Sequence, residues 1–226
     1  MQRAVGMAFA SRAVVFPGGR VDATDGDPSI RWFGSTPDRL ATRLGVDVSA
    51  ARAVVTAAVR ELFEEAGVLL THPKIVGDVE EARIAVESRA VGLAAWLARE
   101  SCALDVSRIR PWGRWVTPAS EPRRFDTWFF VAATPDGNDA RSATSEAQSA
   151  DWMNVQDVLD AAANREMLVL PPTVVMLRGL LAAGTVEAVL ATAEARSMEA
   201  VHPDVRYNDD GTILVSGGGE EVLVEP

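Results

Sequence analysis

The chain has 226 residues, 48% of them hydrophobic and 24% charged, an ordinary globular composition that excludes wholesale disorder and fibrous architectures. Twenty-two Lys and Arg against 32 Asp and Glu leave a net charge of −10, the wrong sign for a protein held to nucleic acid by phosphate contacts. An anionic ligand must therefore be met by a local device, a bound cation or an arginine cluster. Cys102 is the sole cysteine, so no intrachain disulfide can form; it reads as a small buried hydrophobe inside a helix. No apolar run is long enough to span a membrane, Met1–Phe9 lacks a signal-peptide core, and Val224–Pro226 matches no peroxisomal or retention address. The expectation is a soluble cytoplasmic protein with no membrane partner.

In chain order, Val5–Phe9 and Ala13–Phe16 are short apolar runs that read as strands ending at the turn Pro17-Gly18-Gly19. From Arg20 to Asp47 the text is polar and broken, yet Ser35-Thr36-Pro37-Asp38 followed by Leu40, Leu44 and Gly45 carries the cap, first-turn proline, apolar spacing and stop of one short helix. A longer helix is predicted from near Ser49 to Ala66, with Gly67 as its stop. On it Val55, Val59, Leu62 and Ala66 fall within roughly 60° of one another, and Glu61, Glu64 and Glu65 share another side within roughly 100°. Val68–Leu70 resumes as a strand. Glu80–Glu100 is helical in pattern and broken near Gly92.

Trp112–Thr117 and Thr127–Ala133 are aromatic and β-branched runs, read as paired strands joined by a loop, and Asp136–Asp139 marks a further turn. Helices follow over Val155–Ala163, from Leu170-Pro171-Pro172-Thr173 to Gly184, and over Val186–Met198. Thr212–Val215 and Glu221–Val224 around Gly217-Gly218-Gly219 read as a terminal hairpin. That glycine trio is a turn rather than a phosphate loop, because no helix follows to aim its amides.

The most informative stretch is Arg60-Glu61-Leu62-Phe63-Glu64-Glu65-Ala66-Gly67-Val68. It fits the second half of the Nudix box, G-x5-E-x7-R-E-U-x-E-E-x-G-U with U a bulky aliphatic, at every defined position. At a usage of roughly 5 to 7% per residue type, five fixed matches arise by chance in such a chain on the order of once in ten thousand. The first half is displaced: counting back from Arg60 puts Val46 and Arg52 where glycine and glutamate belong. Counting forward from Gly19 gives five residues and then Asp25, with 34 residues before Arg60 where the box has seven, an insertion of 27.

A box split at this place resembles the coenzyme A diphosphatase-like branch of the Nudix hydrolase superfamily, related to the mammalian peroxisomal enzyme. Val15–Gly19 with Val21-Asp22, Phe63–Leu70, Trp115–Pro118, Arg124–Thr127 with Phe129-Phe130, and Leu170-Pro171-Pro172 agree with it. The longer arginine-bearing signature that precedes the glycines in the best-known coenzyme A motif is not legible, and relatives usually carry a further strand upstream of the position of Met1. The resemblance implies a Nudix fold: a mixed α/β sheet sandwiched between helices, with a helical C-terminal appendage. Residues 1–170 would form the Nudix domain, with an insertion at about 26–52, and 171–226 the extension and terminal hairpin.

The chemistry this requires is legible in the carboxylates. A diphosphate repels attacking water, and hard divalent cations with oxygen ligands neutralise that charge. Glu61, Glu64 and Glu65 at i, i+3 and i+4 are expected to converge on one patch able to hold Mg²⁺ or Mn²⁺. By resemblance, Glu61 and Glu65 are the strongest ligands, Glu64 either binds metal or is fixed by Arg60, the carbonyl of Gly18 completes the shell, and Gly19 adjoins the substrate. Glu146 is the candidate for a remote carboxylate acting as ligand or base, with Asp126 and Asp151 behind it. Asp22 and Asp25 either steady the turn or approach the metals.

Arg123 and Arg124 either grip a substrate phosphate or simply solvate their loop. Trp32, Trp115, Phe125 and Trp128 are candidates to stack on a base, with Trp115 and Trp128 expected to face the core. His72 and His202 have no partner at ligand spacing. The implied activity is metal-dependent hydrolysis of coenzyme A or an acyl derivative to 3′,5′-ADP and the phosphopantetheine half. The same mechanism on nucleotide sugars, dinucleotides or aberrant nucleotides, and a non-catalytic ligand-binding Nudix-fold protein, are the alternatives. The expected partner is a small nucleotide-type molecule, and a homodimer is compatible with the sequence.

Overall fold

In the computed structural model, residues 2–3, 13–135, 147–149, 151–209 and 212–224 are described. The α/β class expected from the sequence is the one observed. In chain order the first elements are β1 (Gln2–Arg3), a 3₁₀ turn at Ala23–Gly26, β2 (Trp32–Phe33), α1 (Pro37–Leu44), α2 (Val48–Ala66), β3 (Thr71–His72), α3 (Glu80–Glu87), α4 (Leu93–Arg99) and β4 (Ala103–Asp105). There follow β5 (Ile109–Val116), β6 (Asp126–Ala132), β7 (Ala147–Ser149), α5 (Val155–Ala163), α6 (Pro171–Ala183), α7 (Val186–Ala195), β8 (Asp204–Tyr207), β9 (Ile213–Gly217) and β10 (Glu220–Val224). The chain forms two compact units, one centred on Phe16–Arg110 and the other on Pro111–Val131 with Met153–Pro226.

The first unit is organised around α2. Asp47 caps its start by accepting from the Ala50 amide at 2.7 Å, and Gly67 closes it in the left-handed conformation, φ 68°, with its N–H on Phe63 O. Val55, Val59 and Phe63 are fully buried along it, and Phe63 stacks on Trp96 of α4 at 5.5 Å between ring centroids. Leu62, placed by periodicity on the apolar flank, is only partly buried, because the helix is enclosed on more than one side and Phe63 takes the deeper position. The inserted segment is ordered structure: α1, capped by Thr36 and ended by Gly45, lays Leu40 and Leu44 into the interior. Its Trp32–Phe33 pairs in parallel with β4, which also pairs antiparallel with β3.

Two strand expectations shift. Val68–Leu70 is buried but lies before the paired strand, which begins at Thr71 where β4 runs alongside; the Asp105 amide reaches back, to Leu70 O at 3.0 Å. Ala13–Phe16 contributes a single bridge, Val14 to Val169, rather than a strand. Val5–Phe9 and the turn at Asp136–Asp139 lie outside the described residues. Cys102 is buried as expected, but in the connection between α4 and β4 rather than inside a helix, and burial pushes its thiol pKa up.

In the second unit, Trp112 and Trp115 of β5 pack with Val169, Val174, Met176 and Leu177 around the start of α6, and with Val222 of β10. β5 pairs with β6, and β8, β9 and β10 form an antiparallel sheet whose last two strands are the predicted terminal hairpin, turning at Gly218-Gly219 with both φ values positive. The final helix stops at Ala195, short of Met198. Arg196 is extended instead, with its guanidinium 4.2 Å over the Trp112 ring and its Nε donating to Trp112 O at 2.8 Å. Among the described residues no single helix is long and apolar enough to cross a membrane.

Candidate active site

The site is built where α2 meets the glycine bend. Seventeen of the nineteen residues of α2 precede Glu65, so cap, apolar burial and stop signal together fix the rotation at which its acidic turn arrives. Glu61 and Glu64 are buried, 9% and 5% exposed, and are not splayed into solvent. Gly18 lies against this turn: its amide donates to Glu65 Oε2 at 2.9 Å. Gly19 lies so close that a Cβ there would run into the Glu61 carboxylate, which explains glycine at that position. Gly18 thus meets the acidic turn through its N–H, whereas the sequence expectation concerned its carbonyl.

Arg60 is the hub. Its Nε and Nη2 donate to the two oxygens of Asp25 at 2.9 and 3.0 Å, its Nη1 donates to Glu61 Oε1 at 2.8 Å and Glu64 Oε2 at 3.1 Å, and Nη2 also reaches Arg20 O at 2.9 Å. All five hydrogen bonds are made by one side chain that is 3% exposed. Burial works against the Arg60 charge, but the hydrogen bonds to Asp25 and the charges of Glu61, Asp25 and Glu64 outweigh it and hold the guanidinium above its ordinary pKa. For Glu61 burial wins in the other direction: it raises the carboxyl pKa, with Glu64 adding to the rise and Arg60 opposing it.

Asp25, 35 residues upstream of Arg60, is the second pillar. It steadies the turn by accepting from the Asp22 amide at 2.7 Å and grips Arg60 with both oxygens. The sequence offered the choice between turn and metals, and the observed contacts are those of the turn and of Arg60. Asp25 is 1% exposed, so the insertion of 27 residues returns the chain to the same buried guanidinium. A cavity of about 210 Å³ adjoins this network, lined by Asp22, Asp25, Arg60 and Arg89 and by the apolar Val86 and Leu93.

The three glutamates are gathered, but their oxygens do not converge. Glu64 is held by Arg60 through one oxygen and by Arg89 through the other, at 2.7 Å. Among the described residues no group of three or more His, Cys, Asp or Glu side chains is arranged to hold a metal ion. The contact that one reading of Glu64 requires, with Arg60, is present. The donor chemistry still fits a hard cation: carboxylate oxygens on one buried helical turn, with five acidic groups (Asp22, Asp25, Glu61, Glu64, Glu65) against Arg60 and Arg89. Within that set Glu64 is paired on both oxygens, with Arg60 and with Arg89.

The remaining candidates belong to other segments of the chain. Arg123, Arg124 and Phe125 lie on the β5–β6 loop of the second unit, where Arg124 Nε donates to Thr117 O at 3.0 Å and the Phe125 amide to Thr117 Oγ1. Asp126 forms a two-point pair with Arg114 at 2.8 and 2.6 Å, Asp151 is exposed, and Glu146 lies outside the described residues. Trp115 is core, Trp128 lies under the Arg114 guanidinium, and Trp32 lies under Arg52. His72 stacks on Phe33. Arg89 was not found from the sequence; it falls outside the box in a turn after α3, and no periodicity or spacing marks it.

Against known proteins, residues 40–180 match the family model described as NUDT19 Nudix domain. The chain is 28% identical over 181 residues to a putative nudix hydrolase 7 of Caenorhabditis elegans, an alignment covering 80% of this chain and 54% of that protein. It is 26% identical over 187 residues to the human acyl-coenzyme A diphosphatase NUDT19, covering 74% and 50%. The chain therefore spans about half the length of these curated relatives. A crystal structure of a NUDIX hydrolase from Alicyclobacillus acidocaldarius superposes with a TM-score of 0.71 at 27% identity, covering 87% of this chain and 86% of that one. The family match takes in more than half of the chain and includes the whole acidic turn of α2, and the chain belongs to the NUDT19 Nudix domain family.

Proposed function

We propose that this protein hydrolyses the diphosphate linkage of a nucleoside diphosphate derivative, with coenzyme A or an acyl-coenzyme A as substrate and 3′,5′-ADP and the phosphopantetheine half as products. The observation that carries the hydrolase reading is the buried turn Glu61–Glu65 packed against Gly18 and Gly19 and locked by Arg60. The human relative's name, acyl-coenzyme A diphosphatase, supports the finer choice of substrate.

Glu61 and Glu65 would hold Mg²⁺ or Mn²⁺. When bound, such an ion offsets the diphosphate charge and lowers the pKa of the attacking water. Arg60 sets the rotamers of Glu61 and Glu64 and supplies compensating charge where burial would otherwise penalise two carboxylates side by side. Gly18 orients Glu65 through its amide, and the bare Gly19 leaves room for the Glu61 carboxylate beneath the bend. Low local dielectric strengthens each of these fields, so positioning and electrostatics supply the acceleration without a covalent nucleophile. Glu146 is the proposed remote carboxylate.

Turnover of coenzyme A, acyl-coenzyme A, nucleotide sugars and dinucleotides, with Mg²⁺ or Mn²⁺ and products identified by mass spectrometry, tests this. 3′,5′-ADP from the coenzyme A species is the expected product, and turnover confined to the other substrates would refute the substrate. Glu65→Gln is expected to lower kcat about a hundred-fold; unchanged activity would put the chemistry elsewhere.

A further inference from the structure

Arg89 belongs to this site without belonging to the sequence box. It sits one residue beyond Ser88, which ends α3, with φ 60°, a left-handed conformation that a non-glycine side chain adopts at an energetic cost. From there its guanidinium spans two carboxylates on different segments. Nη1 lies 2.7 Å from Glu64 Oε1 on α2, and Nη2 lies 2.6 Å from Asp22 Oδ2, at the head of the 3₁₀ turn. Since Arg60 Nη1 takes the other oxygen of Glu64 at 3.1 Å, a guanidinium faces each of that carboxylate's oxygens. Any cation binding at this turn competes with two arginines for Glu64.

We infer that Arg89 is a positioning residue that clamps Glu64 as a counter-ion and keeps it out of cation coordination. Through Asp22 it also ties the segment after the glycine bend to the carboxylate helix. As a statement about catalysis this rests on the hydrolase reading; as a statement about which carboxylates a cation can reach, it stands on the contacts alone. Arg89 is itself half exposed, so its removal opens no buried void, and the effects of substitution report on the clamp rather than on packing.

The test compares Arg89→Ala and Arg89→Lys with the unmodified full chain in two measurements: Mn²⁺ binding without substrate, followed by the EPR signal of the free ion, and steady-state hydrolysis. Arg89→Ala withdraws a positive charge and releases Glu64 Oε1, so Mn²⁺ should bind about five-fold more tightly. In the same variant kcat should fall about ten-fold, because Glu64 loses its fixed orientation, with substrate KM little changed. Arg89→Lys keeps the charge but spans one carboxylate rather than two; Mn²⁺ affinity should stay at the original value while kcat is intermediate. A purely structural role would lower thermal stability with unchanged or weaker Mn²⁺ binding, and that result overturns the inference, as does absence of Mn²⁺ binding by the unmodified protein. Should no substrate turn over, the hydrolase reading fails by itself, and the Mn²⁺ measurement still decides the clamp.

Discussion

Replacing Arg60 with alanine would leave Asp25, Glu64 and Glu61, at 1%, 5% and 9% exposure, facing a space that had held their shared cation. Removing one partner of a buried ion pair costs about 3–5 kcal/mol, because the charge left behind keeps its desolvation penalty and loses its compensation. Some relief is built in, since Asp25 still accepts from the Asp22 amide and Glu64 still meets Arg89, so we expect about 4 kcal/mol. For a chain of this length each kcal/mol lowers Tm by about 2–4 °C, which gives a fall of about 8–16 °C.

The comparison variant Asp25→Ala makes the reasoning sharper. Arg60 then keeps Glu61, Glu64 and the Arg20 carbonyl, and the loss should be about 2 kcal/mol, that of two charge-assisted hydrogen bonds only partly replaced. The double variant should cost less than the sum, since it leaves fewer uncompensated charges. Urea unfolding at neutral pH, followed by circular dichroism and tryptophan fluorescence, measures all three. A loss below about 1 kcal/mol for Arg60→Ala, or a larger loss for Asp25→Ala, would refute the view of Arg60 as the hub.

Gly19→Ala should displace the bend from the acidic turn, since its Cβ would meet the Glu61 carboxylate; a kcat loss of about a hundred-fold from misplacement of the site, with Tm nearly unchanged, is expected from kinetics and thermal melts on the same preparation. At the Arg114–Asp126 pair, the hydrogen bonds from Arg114 hold the Asp126 pKa below its ordinary value, outweighing its partial burial. The folded value lies below the unfolded one, so the pair's stabilisation is present above the ordinary carboxylate range and is lost as pH falls through the folded value. Both partners are partly exposed and screened, so Asp126→Asn should cost no more than about 0.5 kcal/mol at pH 7. Near pH 3 the difference from the unmodified protein should shrink, which paired urea melts at the two pH values would read.

Much of the helical scaffold was legible because its signals are local. The cap at Thr36, the stops at Gly45 and Gly67, and the break at Gly92 each act within one or two turns of their helix. Strands were less so. β2 and β4 are two and three residues long, and neither has an alternation to detect; they exist because Trp32–Phe33 and Ala103–Asp105 are brought side by side by the helices around them. Phe63, rather than Leu62, took the deep position on α2 because Trp96 came to meet it, a partner that a helical wheel does not contain. Arg196 left its helix for the face of Trp112 for the same kind of reason.

At the site the division is sharper. The types and spacing of Arg60, Glu61, Glu64 and Glu65 determined the family and the kind of chemistry, because one turn of helix places i, i+3 and i+4 together in any context. The length of the insertion could be counted from Gly19, Asp25 and Arg60 alone. Which charge answers which carboxylate could not be read that way: Asp25 reaches Arg60 across 34 intervening residues, and Arg89 reaches Glu64 from a separate helix pair. Pairing energies depend on distance and burial, both properties of the folded chain. Only the tertiary structure therefore decided that Glu64 is gripped from both sides.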